Sequence, residues 1–156
     1  MKPEIGQNAP KFNLPSNRGV NISLDSFKGT KVILYFYPKD DTPGCTKEAC
    51  NFRNAFSGFT DRGVEVIGVS RDDTVSHEKF ATKFNLPFTL LSDVTGETVE
   101  NYGVWVEKNN YGKKYMGIER STFLINENGV IEKIWVKVNP DEHIDEILDY
   151  LDKASM

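Results

Sequence analysis

Apolar residues fall along this chain in two kinds of pattern. Residues 32–37 (Val-Ile-Leu-Tyr-Phe-Tyr) form a near-continuous β-favouring run, as expected of a strand covered on both faces, and residues 64–69 repeat it. Between them Phe52, Phe56 and Phe59 recur at i, i+4 and i+7, which predicts a helix from Cys45 to about Phe59. Thr74–Phe84 reads as a second helix, stopped by Asn85 and Pro87. Residues 88–91 predict a short third strand and residues 96–102 a short helix. Residues 104–117, with Asn109-Asn110 and two glycines, read as a mobile loop. Ser121–Ile125 and residues 130–138 flank Asn126-Glu127-Asn128-Gly129, a hairpin signal. Pro140 opens a last helix, with an apolar stripe of Ile144, Ile147, Leu148 and Leu151. The opening, residues 6–24, is rich in Pro, Asn and Ser and is expected to wrap the surface, anchored by Pro10, Phe12 and Leu14.

Strand–helix–strand–helix–strand followed by a hairpin and a helix predicts an α/β protein: a central mixed β-sheet flanked by α-helices. That order matches a thioredoxin-like fold. No repeat or linker divides the chain, so residues 1–156 are expected to form a single domain. A net charge of −4 and the lack of any basic cluster beyond Lys113-Lys114 argue against nucleic acid as a partner. The longest apolar run is far too short for a membrane span, and the first residues lack a signal-peptide core. A cytoplasmic protein is the expectation. Two cysteines, Cys45 and Cys50, are too few for a disulfide scaffold, and no Cys/His spacing matches a zinc site. No metal or organic cofactor is implied. His77 and His143 read as solvated helix residues.

Chemistry concentrates where the first strand ends. Thr42-Pro43-Gly44-Cys45 has the form of a helix start, with Thr at the N-cap and Pro at the first helical position. Cys45 then falls in the first turn, near unpaired backbone N–H groups and the positive end of the helix dipole, both of which favour thiolate over thiol. A close cysteine pair in a reducing compartment reads as catalytic or redox-active rather than structural.

Laid out this way, the chain resembles the peroxiredoxins, and within them the bacterioferritin comigratory protein or peroxiredoxin Q subgroup. Residues 6–14 (Gly-Gln-Asn-Ala-Pro-Lys-Phe-Asn-Leu) are similar to the family's opening segment, and residues 35–50 match its active-site stretch. Residues 117–125 (Gly-Ile-Glu-Arg-Ser-Thr-Phe-Leu-Ile) carry the arginine that such enzymes set beside the sulfur. Val106, where Gly is usual, and Asn126, where Asp is usual, depart from the pattern outside the proposed pocket. The resemblance implies Cys45 as peroxidatic nucleophile, Cys50 as resolving cysteine, and Pro38, Thr42 and Arg120 as residues that shape and polarise the pocket. It further implies reduction of hydrogen peroxide and organic hydroperoxides, an intramolecular Cys45–Cys50 disulfide, and recycling by thioredoxin or a similar dithiol donor. A monomer is expected, because no partner subunit has to supply the second sulfur.

The residues also set their own terms. A thiol whose pKa falls from about 8.5 to about 6 gains roughly thirtyfold in thiolate at pH 7. Its lower basicity costs roughly thirteenfold in nucleophilicity, leaving about a twofold gain. Donors aimed at the peroxide oxygens must therefore supply the rest, and Arg120, the Thr42 hydroxyl and backbone N–H groups are the candidates. On an intact helix, Cα atoms five residues apart stand roughly 8.7 Å from each other, beyond the ~4.4–6.8 Å that a disulfide spans. The first turn must unwind for Cys45 and Cys50 to bond. Against these readings, Cys45 could be an inert buried thiol, Cys50 a packing residue, Thr42 only a cap, Pro38 a strand terminator and Arg120 a surface arginine. Trp105, Trp135 and the phenylalanines read as packing; an edge position at the pocket for Phe36, Phe84 and Trp105 is the less favoured alternative. A thiol–disulfide oxidoreductase on the same fold, or a binding domain with a structural cysteine pair, are the competing functions.

Overall fold

A computed structural model describes residues 2–154. In chain order its elements are β1 (Asn13–Pro15), β2 (Asn21–Ser23), a 3-10 turn (Leu24–Phe27), β3 (Lys31–Phe36), α1 (Pro43–Asn54), α2 (Phe56–Asp61), β4 (Val64–Ser70) and α3 (Thr74–Phe84). There follow β5 (Thr89–Ser92), α4 (Glu97–Asn101), β6 (Trp105–Asn110), β7 (Lys113–Ile118), β8 (Ser121–Ile125), β9 (Ile131–Val136) and α5 (His143–Ala154). Five strands make the central sheet in the order β5-β4-β3-β8-β9. β3 pairs parallel with β4 and antiparallel with β8, so the sheet is mixed. This is the thioredoxin-like arrangement that the order of apolar segments predicts.

β3 is the central strand, which explains its unbroken apolar sequence. Alternate side chains enter two separate cores. Ile33, Tyr35 and Tyr37 join Ala49, Phe52, Phe59, Phe80 and Ile147, on the face covered by α1, α2, α3 and α5. Val32, Leu34 and Phe36 join Val69, Val99, Tyr102, Phe123 and Ile125 on the other. Tyr35 sits opposite Gly68 in register, and a Cβ at 68 would lie 2.9 Å from the Tyr35 ring. Gly68 thus makes room for a ring that lies in the same core as Cys45.

Four local readings need correction. The first helix breaks at Ala55 (φ −100°, ψ 8°) and resumes as α2, so that Phe52 and Phe59 are fully buried while Phe56 is only partly so. Residues 104–117 are not a loop: β6 and β7 pair from Trp105–Ile118 to Asn110–Lys113, closed by Tyr111 and Gly112, both at positive φ. That is the backbone of a type I′ hairpin turn, with a tyrosine where Asn is usual. Pro140 lies in a turn, and α5 begins only at His143, whose N–H donates to the Asn139 carbonyl. The opening segment includes a small hairpin, β1–β2, rather than only extended wrapping. The departure at Asn126 is neutral in kind, since its side-chain oxygen accepts from the Asn128 and Val130 N–H groups as an aspartate would.

Candidate active site

Cys45 stands in the first turn of α1, only 2% exposed. Thr42 has the extended backbone of an N-cap (φ −100°, ψ 155°), its carbonyl accepts the Thr46 N–H at 2.8 Å, and Pro43 takes the first helical position. The expected side-chain cap is absent: the Thr42 hydroxyl instead donates to the Lys39 carbonyl at 2.9 Å, bracing the loop that leads into the helix. No side chain therefore caps the N–H groups of the first turn.

Arg120 lies between β7 and β8, 75 residues from Cys45 in sequence, and the fold brings them together. Its Nη2 donates to Cys45 Sγ at 3.2 Å and its Nη1 to Glu48 Oε1 at 2.7 Å, so one guanidinium fork grips the sulfur and a carboxylate at once. Cys45 and Glu48 are three residues apart on α1 and therefore share a face. Gly44 permits the approach, because a Cβ there would stand 3.2 Å from Nη2. Glu48 is fully buried, and burial pushes its carboxyl up to about 7 against the pull of Arg120. Burial opposes the charge on Arg120 too, yet Glu48 and Cys45 more than offset this and hold its pKa above the ordinary value. Two buried polar atoms here lack partners: Glu48 Oε2 and the Tyr35 hydroxyl. Beside the site Pro38, half-buried, walls an open hollow of about 390 Å³ with Trp105, Lys108, Met116 and Ile118. Burial and the nearby Arg120 hold the Lys108 ammonium below the usual lysine range, while Cys45 opposes the shift.

This constellation can be compared with known proteins. Residues 5–134 match the model of the AhpC/TSA family. A curated Coxiella burnetii relative is 57% identical over 97% of this chain and 100% of its own length. Peroxiredoxin Bcp of Bacillus subtilis is 48% identical, over 99% of each chain. The structure of Xylella fastidiosa PrxQ superposes with a TM-score of 0.94 at 32% identity, covering 100% of this chain and 99% of that one. Xanthomonas campestris bacterioferritin comigratory protein, described for its alkyl peroxide reduction activity, gives a TM-score of 0.88 at 37% identity over 93% and 92% of the two chains. The chain belongs to the AhpC/TSA family. Its similarity runs over nearly its whole length to the Bcp and PrxQ peroxiredoxins, and it is a thiol-dependent peroxidase.

In this peroxiredoxin, Cys50 is half-buried on the same unbroken helix as Cys45, and both thiols are free. Trp105 does edge the hollow, whereas Phe36 and Phe84 pack in the two cores. Neither histidine is solvated. His143 is buried between Thr122, 2.7 Å from Nε2, and Glu146, 2.8 Å from Nδ1; burial lowers its pKa although Glu146 opposes this. His77, also fully buried, sets Nδ1 2.7 Å from Asp40 Oδ2 and Nε2 2.9 Å from the Leu91 carbonyl. Asp40 further accepts from the Tyr37 hydroxyl (2.5 Å) and Ser76 Oγ (2.8 Å), and its N–H donates to Asp72. The loop between β3 and α1 is therefore tied to α3 by a buried network. Asp40, Asp72 and His77 place ligand-type atoms within 4.8 Å of one another, but protein donors already engage the carboxylates. The cluster serves as a latch. Sequence reasoning missed Glu48, Gly44 and this latch; the i, i+3 spacing of Cys45 and Glu48 was the one readable hint.

Proposed function

We propose that Cys45 is the sulfur that attacks the peroxide and Cys50 the one that resolves it. The observation that carries this reading is the Arg120 guanidinium donating to Cys45 Sγ at 3.2 Å in the first turn of a helix. The Cys45 thiolate attacks the terminal oxygen of ROOH and the O–O bond breaks; Cys45 becomes a sulfenic acid, and the departing RO⁻ takes up one proton to leave as ROH. Arg120 and the first-turn N–H groups stabilise charge as it moves onto the leaving oxygen. Pro38 walls the approach and Thr42 fixes the loop. The Cys50 thiol then condenses with the sulfenic acid, releasing water and forming a disulfide. Because both cysteines lie on α1, at least the first turn of that helix unwinds in this step. A thioredoxin-like dithiol protein reduces the disulfide. The working form is a monomeric single domain in the cytoplasm, without a metal or organic cofactor, in keeping with an intramolecular pair and with no helix among the described residues long and apolar enough to cross a membrane.

Mixing the reduced protein with a slight excess of hydrogen peroxide, followed by rapid-mixing fluorescence and intact mass, tests the assignment. Wild type loses two hydrogens rapidly, Cys50→Ser stops at a sulfenic acid, and Cys45→Ser has no fast phase. A fast phase surviving in Cys45→Ser overturns the role of Cys45. Reduction of a test disulfide with no peroxide consumed would select the oxidoreductase reading instead.

A further inference from the structure

Arg120 carries one positive charge and stands between two groups that can each become an anion. One arm of its fork reaches Cys45 Sγ and the other Glu48 Oε1. Glu48 is sealed from solvent and Cys45 nearly so, while Arg120 keeps 16% of its side chain exposed. Neither Cys45 nor Glu48 hydrogen-bonds to a second cation among the described residues. Two anions against one guanidinium would leave one of them sharing its only hydrogen-bonded cation in a site that water screens poorly, with Lys108 near but not bonded to either. Glu48 Oε2, buried and accepting no hydrogen bond, is a poorly solvated end for a carboxylate and a natural seat for a proton.

We propose that Cys45 and Glu48 share a single proton across Arg120. The reduced site then holds either a thiolate beside a protonated Glu48 or a thiol beside an ionised one. This deepens the peroxidase reading and rests on Cys45 being the attacking sulfur. It also balances the reaction inside the site. Thiolate and protonated Glu48 meet ROOH; sulfur loses two electrons to the O–O bond and gains the terminal OH. The leaving RO⁻ takes up one proton to become ROH, and Glu48 gives up one. Once the sulfur is a neutral sulfenic acid, the guanidinium charge is left to Glu48, which ionises. Glu48 thus acts through Arg120 as a charge-setting residue, one helical turn from the nucleophile. The other groups facing this pair are Tyr35 from β3, Lys108 from β6, Asp40 by way of Tyr35 and His143 by way of Arg120.

Thiolate absorbance against pH, measured in a Cys50→Ser background, tests the proposal. Sharing predicts a broad or two-step appearance of the Cys45 thiolate, as for coupled sites. Glu48→Gln keeps an acceptor for Arg120 but cannot ionise, so the titration becomes a single step with its midpoint at lower pH. A Glu48 that merely holds Arg120 in place predicts the opposite: a single step in the parent, moved upward or unmoved by Glu48→Gln. Infrared difference spectra of the Cys50→Ser protein with labelled glutamate cover the case where the variant does not fold. On addition of peroxide a protonated-carboxyl band disappears, and it does not in a Cys45→Ser/Cys50→Ser protein. An unchanged carboxyl region alongside normal sulfenic acid formation overturns proton sharing and leaves the peroxidase reading intact. A fast peroxide reaction in Cys45→Ser sinks that reading itself.

Discussion

Two buried polar clusters hang from the same face of β3, below Tyr35 and Tyr37, whose rings stack 5.4 Å apart, and they follow opposite rules. Around Tyr37, the carboxylate of Asp40, both ring nitrogens of His77 and the Tyr37 hydroxyl all find partners. Around Tyr35, the Tyr35 hydroxyl and Glu48 Oε2 have none, and a single guanidinium serves two potential anions. A satisfied network has little to gain by rearranging, so it holds the loop before α1 in place. An unsatisfied one keeps charge poised, and that is where Cys45 sits. The comparison separates what fixes the site from what reacts in it.

The strongest way to break the contrast is Arg120→Lys. A lysine ammonium keeps the charge but cannot grip sulfur and carboxylate together, so the second-order rate constant with peroxide should fall about 10²-fold or more while the protein stays folded. Stopped-flow kinetics beside a far-ultraviolet spectrum reads both, and a rate within a factor of two of wild type would refute the fork's role.

His77→Ala should invert that pattern. It leaves the Asp40 carboxylate buried without its ring partner, so urea unfolding should show a loss of about 3 kcal/mol or more. The peroxide rate constant of the folded fraction should stay within about tenfold of wild type. A larger loss of rate than of stability would mean that the latch takes part in the chemistry.

The smallest effect sharpens the comparison most. Tyr35→Phe removes a hydroxyl that bonds to nothing in the structure, so stability should be unchanged or rise by up to about 1 kcal/mol. If the variant instead slows sulfenic acid formation tenfold, the hydroxyl belongs to the reacting group.

Elements with signals at their own ends could be read from the sequence. α3 runs over the expected Thr74–Phe84 because Asp73 caps it, accepting the Ser76 N–H, and Asn85 leaves it in the left-handed conformation (φ 54°). β3 showed itself as an unbroken apolar run because both its faces are covered. The β6–β7 hairpin did not, since Tyr111 takes the left-handed conformation (φ 53°) at a position where an Asn would have signalled the turn. His77 and His143 escaped for a related reason. Asp40 and Leu91 for His77, and Thr122 for His143, come from other segments, and burial of a polar side chain depends on such partners, which sequence spacing does not reveal.

What the sequence determined by itself was the sulfur and its setting: a strand end, a Thr-Pro-Gly helix start, a thiol in the first turn and a second thiol five residues on. These are local features, and local conformational preferences are enough to produce them. Only the tertiary structure decided what surrounds that sulfur. It carried Arg120 across 75 residues of chain, buried Glu48 on the far arm of the same guanidinium, and tied the preceding loop to α3 through Asp40 and His77. Charge balance in a site closed to water depends on which side chains meet there, and that is settled by packing between distant segments.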